Sequence, residues 1–273
     1  MNHKRALTSD YELNTFPSSR LATIDIGAVS RSKHLIHAYV ELDVTKARKK
    51  VLELKKQKQE ISFNAWFIKC VSKMMEEYPE IHAIRKGKRQ LISFKDIDIA
   101  IMIEREIEGV KVPLPYVLRN THHKSIAEIY REIRAGQNQD IANEGNYVLG
   151  EGENKLMMKL YYALPGLARR WIWRIILGKP FFVKKNMGTA IVTFVGMMGK
   201  VNGWLSPVTV HPLSVAVGSI VKKPGVIGDR IEAREYLYVT VTVDHDVVDG
   251  APAVRALSKL SKLVEKAEGL FAY

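Results

Sequence analysis

Tyr236-Leu237-Tyr238-Val239-Thr240-Val241-Thr242-Val243-Asp244-His245-Asp246-Val247-Val248-Asp249-Gly250 is the stretch that decides the fold. Its first eight residues are β-branched, aromatic or leucine, the composition of a strand. From about Ala251 onward, Leu257, Leu260, Leu263 and Val264 recur at helical spacing. The chain therefore turns from strand into helix between Asp244 and Gly250, a reversal at which side chains can face a cleft. Asp249 suits an N-cap, Gly250 permits the turn and Pro252 fits the first helical turn. Those roles leave His245 unexplained, and an imidazole whose unperturbed pKa is ~6.5 can move protons at neutral pH.

Outward from that junction, apolar residues follow strand and helix periods in turn. Residues 1–35 read as an N-terminal arm with room for a short helix, and 36–43 as a strand alternating toward a half-buried face. A helix from about Thr45 to Gln59 has a modest apolar stripe of Val51, Leu52 and Leu54, with Lys49, Lys50, Lys55, Lys56 and Lys58 as a solvated face. A more apolar helix, Phe63–Glu77, stops before Pro79. Asp96–Glu104 reads as a strand and Ser125–Ala135 as a helix with Ile126, Ile129 and Ile133 on one side. Further apolar strands are expected near Thr189–Val195, Ser206–Val210 and Ser214–Val221. Strands interspersed with helices indicate an α/β fold, and with no linker dividing the 273 residues a single domain, 1–273, is expected.

Composition narrows the function classes. The chain is 47% hydrophobic and 26% charged, as in soluble globular proteins, without repeats or an apolar leader, and a cytoplasmic location fits best. Its one cysteine, Cys70, sits in an apolar helical pattern and reads as a buried thiol. The formal charge of +13 suits nucleic acid, an anionic membrane or a polyanionic cofactor such as coenzyme A. No nucleic-acid-binding module is recognisable, so no nucleic-acid partner is expected. Nor is a metal, because the His122-His123 pair lacks ligand spacing and Cys-x-x-Cys and His-Glu-x-x-His are missing.

His245-x-x-x-Asp249-Gly250 resembles the His-x-x-x-Asp-Gly signature of chloramphenicol acetyltransferases and of the catalytic domains of dihydrolipoamide acyltransferases, the core components of 2-oxoacid dehydrogenase complexes. Other segments resemble the same family in the same order. They are Ile36–Thr45, Ser62–Cys70, Tyr78–Ala83, Ile97–Ile103, Gly109–Leu114 (family Gly-Leu-Val-Val-Pro-Val) and Gly188–Gly196 (family Gly-Thr-Phe-Thr-Ile-Ser-Asn-Leu-Gly). The resemblance covers nearly the whole chain and implies the chloramphenicol acetyltransferase-like fold, a two-layer sandwich with a mainly mixed sheet covered by helices.

It also implies chemistry. His245 corresponds to the general base that deprotonates the incoming thiol or hydroxyl, and Thr193 to the family's serine, whose hydroxyl stabilises the tetrahedral oxyanion. Threonine keeps the donor but adds a methyl and stiffens χ1. Asp249 corresponds to the motif aspartate, which supports the site through an arginine ion pair, and Arg20 has about the spacing of that arginine. Asp246 stands where dihydrolipoamide acyltransferases usually carry arginine. The co-substrate implied is a coenzyme A thioester. A homotrimer or a multiple of trimers is implied as well, with His245 from one protomer facing Thr193 of its neighbour.

Between Gly136 and Thr189 the chain departs from the family pattern through an insertion, about 145–187. Leu156–Leu177, broken at Pro165-Gly166, reads as two amphipathic helices. Arg169, Arg170, Arg174, Lys179, Lys184 and Lys185 beside Trp171 and Trp173 suit an anionic membrane surface, although amphipathic helices more often bury against their own domain or a neighbouring subunit. With no lipoyl segment recognised, a separate lipoyl protein or another thiol, amine or hydroxyl is the expected acceptor. A noncatalytic trimeric scaffold that binds a membrane or a partner is the reading from a different class.

Overall fold

A computed structural model describes residues 11, 16, 19–107, 110–138, 160–196 and 202–272. Most of the arm's first 18 residues, Gly109 of the Gly109–Leu114 segment and the insertion's 145–159 lie outside the described residues.

The elements are helix α1 (Ser19–Ser30), strand β1 (Leu35–Asp43), helices α2 (Thr45–Lys56) and α3 (Phe63–Glu77), and a hairpin of β2 (Ile84–Lys86) and β3 (Gln90–Ile92). Strands β4 (Ile99–Ile107) and β5 (Val110–Leu118) and helix α4 (Ile126–Asn138) follow. Helices α5 (Gly166–Leu177) and α6 (Pro180–Met187) precede strands β6 (Ala190–Phe194), β7 (Leu213–Ile227) and β8 (Arg230–Asp244) and helix α7 (Gly250–Glu265). The mixed six-stranded sheet has the order β1-β8-β7-β6-β4-β5, with β6 parallel to β4 and β7 and the other neighbours antiparallel.

Strand alternation gives the sheet two unlike faces. Leu42, Leu237, Val239, Val241, Val243, Leu213, Val215, Ala190, Val192, Ile99 and Ile101 belong to one buried apolar cluster with Ala47 and Val51 of α2, Trp66 and Phe67 of α3, Ile129 of α4 and Leu260 and Val264 of α7. Alternate residues point to the other face, and they are largely polar: His37, Thr242 and Ser214 share one row with Ile191, and Tyr39, Thr240 and Ala216 share the next with Thr193. Helices thus cover one layer, in agreement with the α/β class read from the sequence and the two-layer sandwich that the resemblance implies.

Local sequence accounts for the main helices. Ser62 caps α3 by accepting from Ala65 N at 3.1 Å, and the helix ends where Pro79 denies the next turn its donor. Cys70 is buried, and burial pushes its thiol far up, away from thiolate chemistry.

Three readings need correction. Leu52 is exposed, so the apolar side of α2 is Ala47, Val51 and Leu54. Residues 206–210 form no strand: Pro207 has no N–H to donate, and Thr209 spends its carbonyl on the Ser30 hydroxyl at 2.6 Å. Finally, β7 and β8 run well past the predicted 214–221 and 236–243 as a two-stranded ribbon turning at Ile227–Arg230.

Candidate functional site

Asp244, the last residue of β8, fixes the turn after the strand with every polar group it has. Its N–H donates to Pro212 O at 2.9 Å, and its carbonyl accepts from Val247 N and Val248 N at 3.0 and 3.1 Å. One side-chain oxygen accepts from Asp246 N at 3.1 Å, and the other accepts from Lys33 Nζ at 2.5 Å. His245 follows at once, its N–H donating to His34 O at 2.8 Å. Its backbone is therefore tied to both sides of the sheet end while its imidazole is exposed and makes no hydrogen bond with a described residue. Such a ring is free to exchange protons with a bound molecule. The neighbouring Asp246 turns to His34, Nδ1 to carboxylate at 2.8 Å, and that imidazole holds the Asp246 carboxyl below the usual carboxylate range.

Thr193 lies in the middle of β6, on the sheet face opposite the helices, and its hydroxyl too has no partner among the described residues. Two glycines hold this strand in place. Gly188 has φ +72°, and a Cβ there would come within 2.7 Å of Asp98 O. Gly196 presses on the β7 bulge, where a Cβ would lie 2.0 Å from Gly218 O. The sequence thus specifies both ends of the segment that presents Thr193.

Within one chain the two candidates do not meet. Register aligns Thr193 with Thr240 across two strands, and His245 lies five residues farther along β8. At about 3.3 Å per residue and about 4.8 Å per strand, their backbones are roughly 15–20 Å apart. One surface cleft is lined by Lys222, Lys223, Pro224 and Ile231, another by Lys69, Lys73, Ile126 and Glu268; neither includes His245 or Thr193.

Arg20 and Asp249 form no ion pair here: both are exposed, and Arg20 occupies the start of α1, ten residues or about 15 Å of helix before Ser30 and the sheet end. Asp249 stands at the N-cap position with extended dihedrals, as the sequence suggests, but makes no side-chain capping bond. Gly250 has no left-handed φ and a Cβ there would meet nothing within 4 Å, so the turn itself does not demand glycine.

The residues missed were Lys33 and Asp244, a pair 211 positions apart in the chain, and His37. His37 Nδ1 lies 2.8 Å from Thr242 Oγ1 and 3.2 Å from Ser206 Oγ on the face that carries Thr193. Asp244 stands inside the decisive motif and only its position next to the histidine could have marked it. No group of three or more His, Cys, Asp or Glu side chains among the described residues is placed to hold a metal ion.

The model of the 2-oxoacid dehydrogenase acyltransferase catalytic domain matches residues 24–145 and 185–272. A dihydrolipoyllysine-residue succinyltransferase component of the mitochondrial 2-oxoglutarate dehydrogenase complex from Bos taurus is 26% identical over 85% of this chain and 44% of its own length. A dihydrolipoyllysine-residue acetyltransferase component of the pyruvate dehydrogenase complex from Zymomonas mobilis is 25% identical over 97% of this chain and 53% of its own. The chain thus spans about half the length of these relatives. Among solved structures, a probable dihydrolipoamide acetyltransferase from Listeria monocytogenes superposes with a TM-score of 0.66 at 21% identity, covering 96% of this chain and 97% of that one. A dihydrolipoamide acetyltransferase from Azotobacter vinelandii, solved to investigate a serine, a histidine and an asparagine in its catalytic mechanism, does so with a TM-score of 0.67 at 13% identity, covering 95% and 94%.

Proposed function

Since the chain belongs to the family of 2-oxoacid dehydrogenase acyltransferase catalytic domains, we propose that it transfers an acyl group between a coenzyme A thioester and a thiol acceptor, at a site shared by two copies of the chain. The observation that carries this reading is the placement of His245 and Thr193: each presents a functional group with no partner among the described residues, and they stand too far apart within one chain to act on one carbonyl. In the Azotobacter enzyme the serine precedes the histidine by 52 residues and the asparagine follows it by four. Here Thr193 precedes His245 by 52 residues and Asp249 follows it by four.

In the proposed reaction His245 takes the proton from the acceptor thiol, and the thiolate attacks the thioester carbonyl. The carbonyl oxygen becomes an oxyanion, to which the Thr193 hydroxyl of the neighbouring copy donates. Collapse of the tetrahedral intermediate breaks the carbon–sulfur bond to coenzyme A, and the departing sulfur recovers the proton from His245. The net charge of +13 suits a polyanionic co-substrate. A trimer, or a multiple of trimers, supplies the neighbouring copy. The relatives' names favour a dihydrolipoyl thiol as acceptor over an amine or hydroxyl.

Incubating the protein with acetyl- or succinyl-coenzyme A and dihydrolipoamide, and following coenzyme A release and the acylated product by mass spectrometry, tests the proposal. Transfer that disappears in His245→Ala is expected. If the folded, assembled protein transfers nothing to any thiol, amine or alcohol offered, the acyltransferase reading fails and the scaffold reading replaces it.

A further inference from the structure

The family match leaves residues 146–184 uncovered, a stretch that includes helix α5 and the start of α6. Two buried polar anchors hold this segment to the body. Arg169 Nε donates to Asp25 of α1 at 2.7 Å, and Tyr161 donates to the same carboxylate at 3.1 Å while accepting from Trp173 Nε1 at 2.9 Å. At the other end, Lys184 and Arg119 both donate to buried Asp98, at 3.1 and 3.0 Å. One side of α5 is therefore spent on packing, with Trp173 only 1% exposed.

The opposite side is exposed among the described residues. Leu167, Trp171, Arg174 and Ile175 follow one another at i, i+4, i+7 and i+8 and so share a face of α5. Leu167 is 76% exposed and Trp171 64%; in α6, Phe181 is 67% exposed while its ring meets that of Phe94 edge-on at 5.6 Å. The same two helices and their connection carry Arg170, Arg174, Lys179 and Lys185, none of which ion-pairs with a described residue. No Asp or Glu occurs between Glu153 and Asp229, so the segment itself supplies no anion to neutralise them. A second copy of this surface would meet it with like charges.

We infer that this face of α5 and α6 docks the protein on an anionic phospholipid surface. Leu167, Trp171 and Phe181 enter the boundary between headgroups and acyl chains, where tryptophan is favoured, and the four cations remain at the lipid phosphates. The contact is peripheral, since among the described residues no helix is long and apolar enough to cross a membrane. Coulombic attraction between exposed charges supplies much of the binding, so it weakens as salt shortens the screening length from about 10 Å at 0.1 M toward about 3 Å at 1 M. This inference does not depend on the acyltransferase reading, because it uses no residue of that site.

Flotation of the intact protein with vesicles tests it. Vesicles of equal parts phosphatidylcholine and phosphatidylglycerol should carry the protein upward at low salt, while pure phosphatidylcholine should not. Arg170→Glu with Arg174→Glu should weaken the association about tenfold or more, since each cation near an anionic surface matters by about fivefold and two are replaced. Trp171→Ser should weaken it too without changing the elution volume on size exclusion. Equal flotation with both vesicle types, or none with either, overturns the inference. So does a Trp171→Ser variant that binds anionic vesicles normally but elutes as a smaller assembly, which would assign the face to a contact between copies.

Discussion

Lys33 donates to Asp244 across 2.5 Å and anchors the strand end that carries His245. Asp244 is nearly buried, and the ammonium beside it is its only cationic partner among the described residues. Replacing Lys33 by Met should therefore strand a carboxylate in a poorly solvated position. The expected cost is about 2–4 kcal/mol in urea denaturation, with a loss of turnover because the backbone next to His245 loosens. Lys33→Arg should restore most of both. A Lys33→Met protein with unchanged stability would show that water already satisfies Asp244.

Thr193 offers a test of hydroxyl chemistry independent of the histidine. Thr193→Val keeps the branched shape and should lower kcat about a hundredfold or more without unfolding the protein, because one oxyanion donor is removed. Thr193→Ser should retain activity, since the donor remains and rotates more freely. Equal rates for Val and Thr at this position would move the oxyanion role elsewhere.

Stability should fall in mild acid. Burial pushes His82 and His211 down to about 4 each, from an ordinary value of 6.5. The unfolded chain then takes up protons that the folded chain refuses, so the neutral rings' contribution is complete above about pH 6.5 and is lost as the pH drops toward 4. A melting temperature that declines steadily through that window is expected, with a total effect on the order of a few kcal/mol. A flat profile between pH 6.5 and 4.5 would mean that these rings gain compensating partners on protonation.

Arg20 and Asp249 make no contact within the chain, so Arg20→Met and Asp249→Asn should affect stability additively. A coupling above about 1 kcal/mol in the double-mutant cycle would show that the two meet in the assembled protein.

Much of the architecture was legible because it is written locally. The alternation of β1 and β8, the Ser62 cap and the Pro79 stop of α3, and the apolar stripe of α7 each depend on residues a few positions apart. The ribbon beyond residue 221 escaped notice because Lys222 and Glu232 are exposed and Lys223 and Arg234 pair with Glu41 and Asp43 rather than entering a core, so no apolar alternation marks it. Residues 206–210 misled for the opposite reason: Val208, Thr209 and Val210 have strand propensity, yet the segment is held by the Thr209 carbonyl on α1 and the Ser206 hydroxyl near His37, not by a backbone ladder. At the site, His245 and Thr193 were readable from motif resemblance, whereas Lys33–Asp244 depends on a contact across most of the chain that no local pattern announces.

Subunit mixing tests the shared site most directly. His245→Ala and Thr193→Val proteins, each nearly inactive, are dissociated, combined in equal amounts and reassembled. If His245 of one copy works with Thr193 of its neighbour, random mixing pairs an intact histidine with an intact threonine at about a quarter of the interfaces. Activity should then rise to about a quarter of the wild-type value per site. Reassembled mixtures, verified as mixed by mass, that stay as inactive as the parent variants would contradict the account and place both groups of each working site in a single chain.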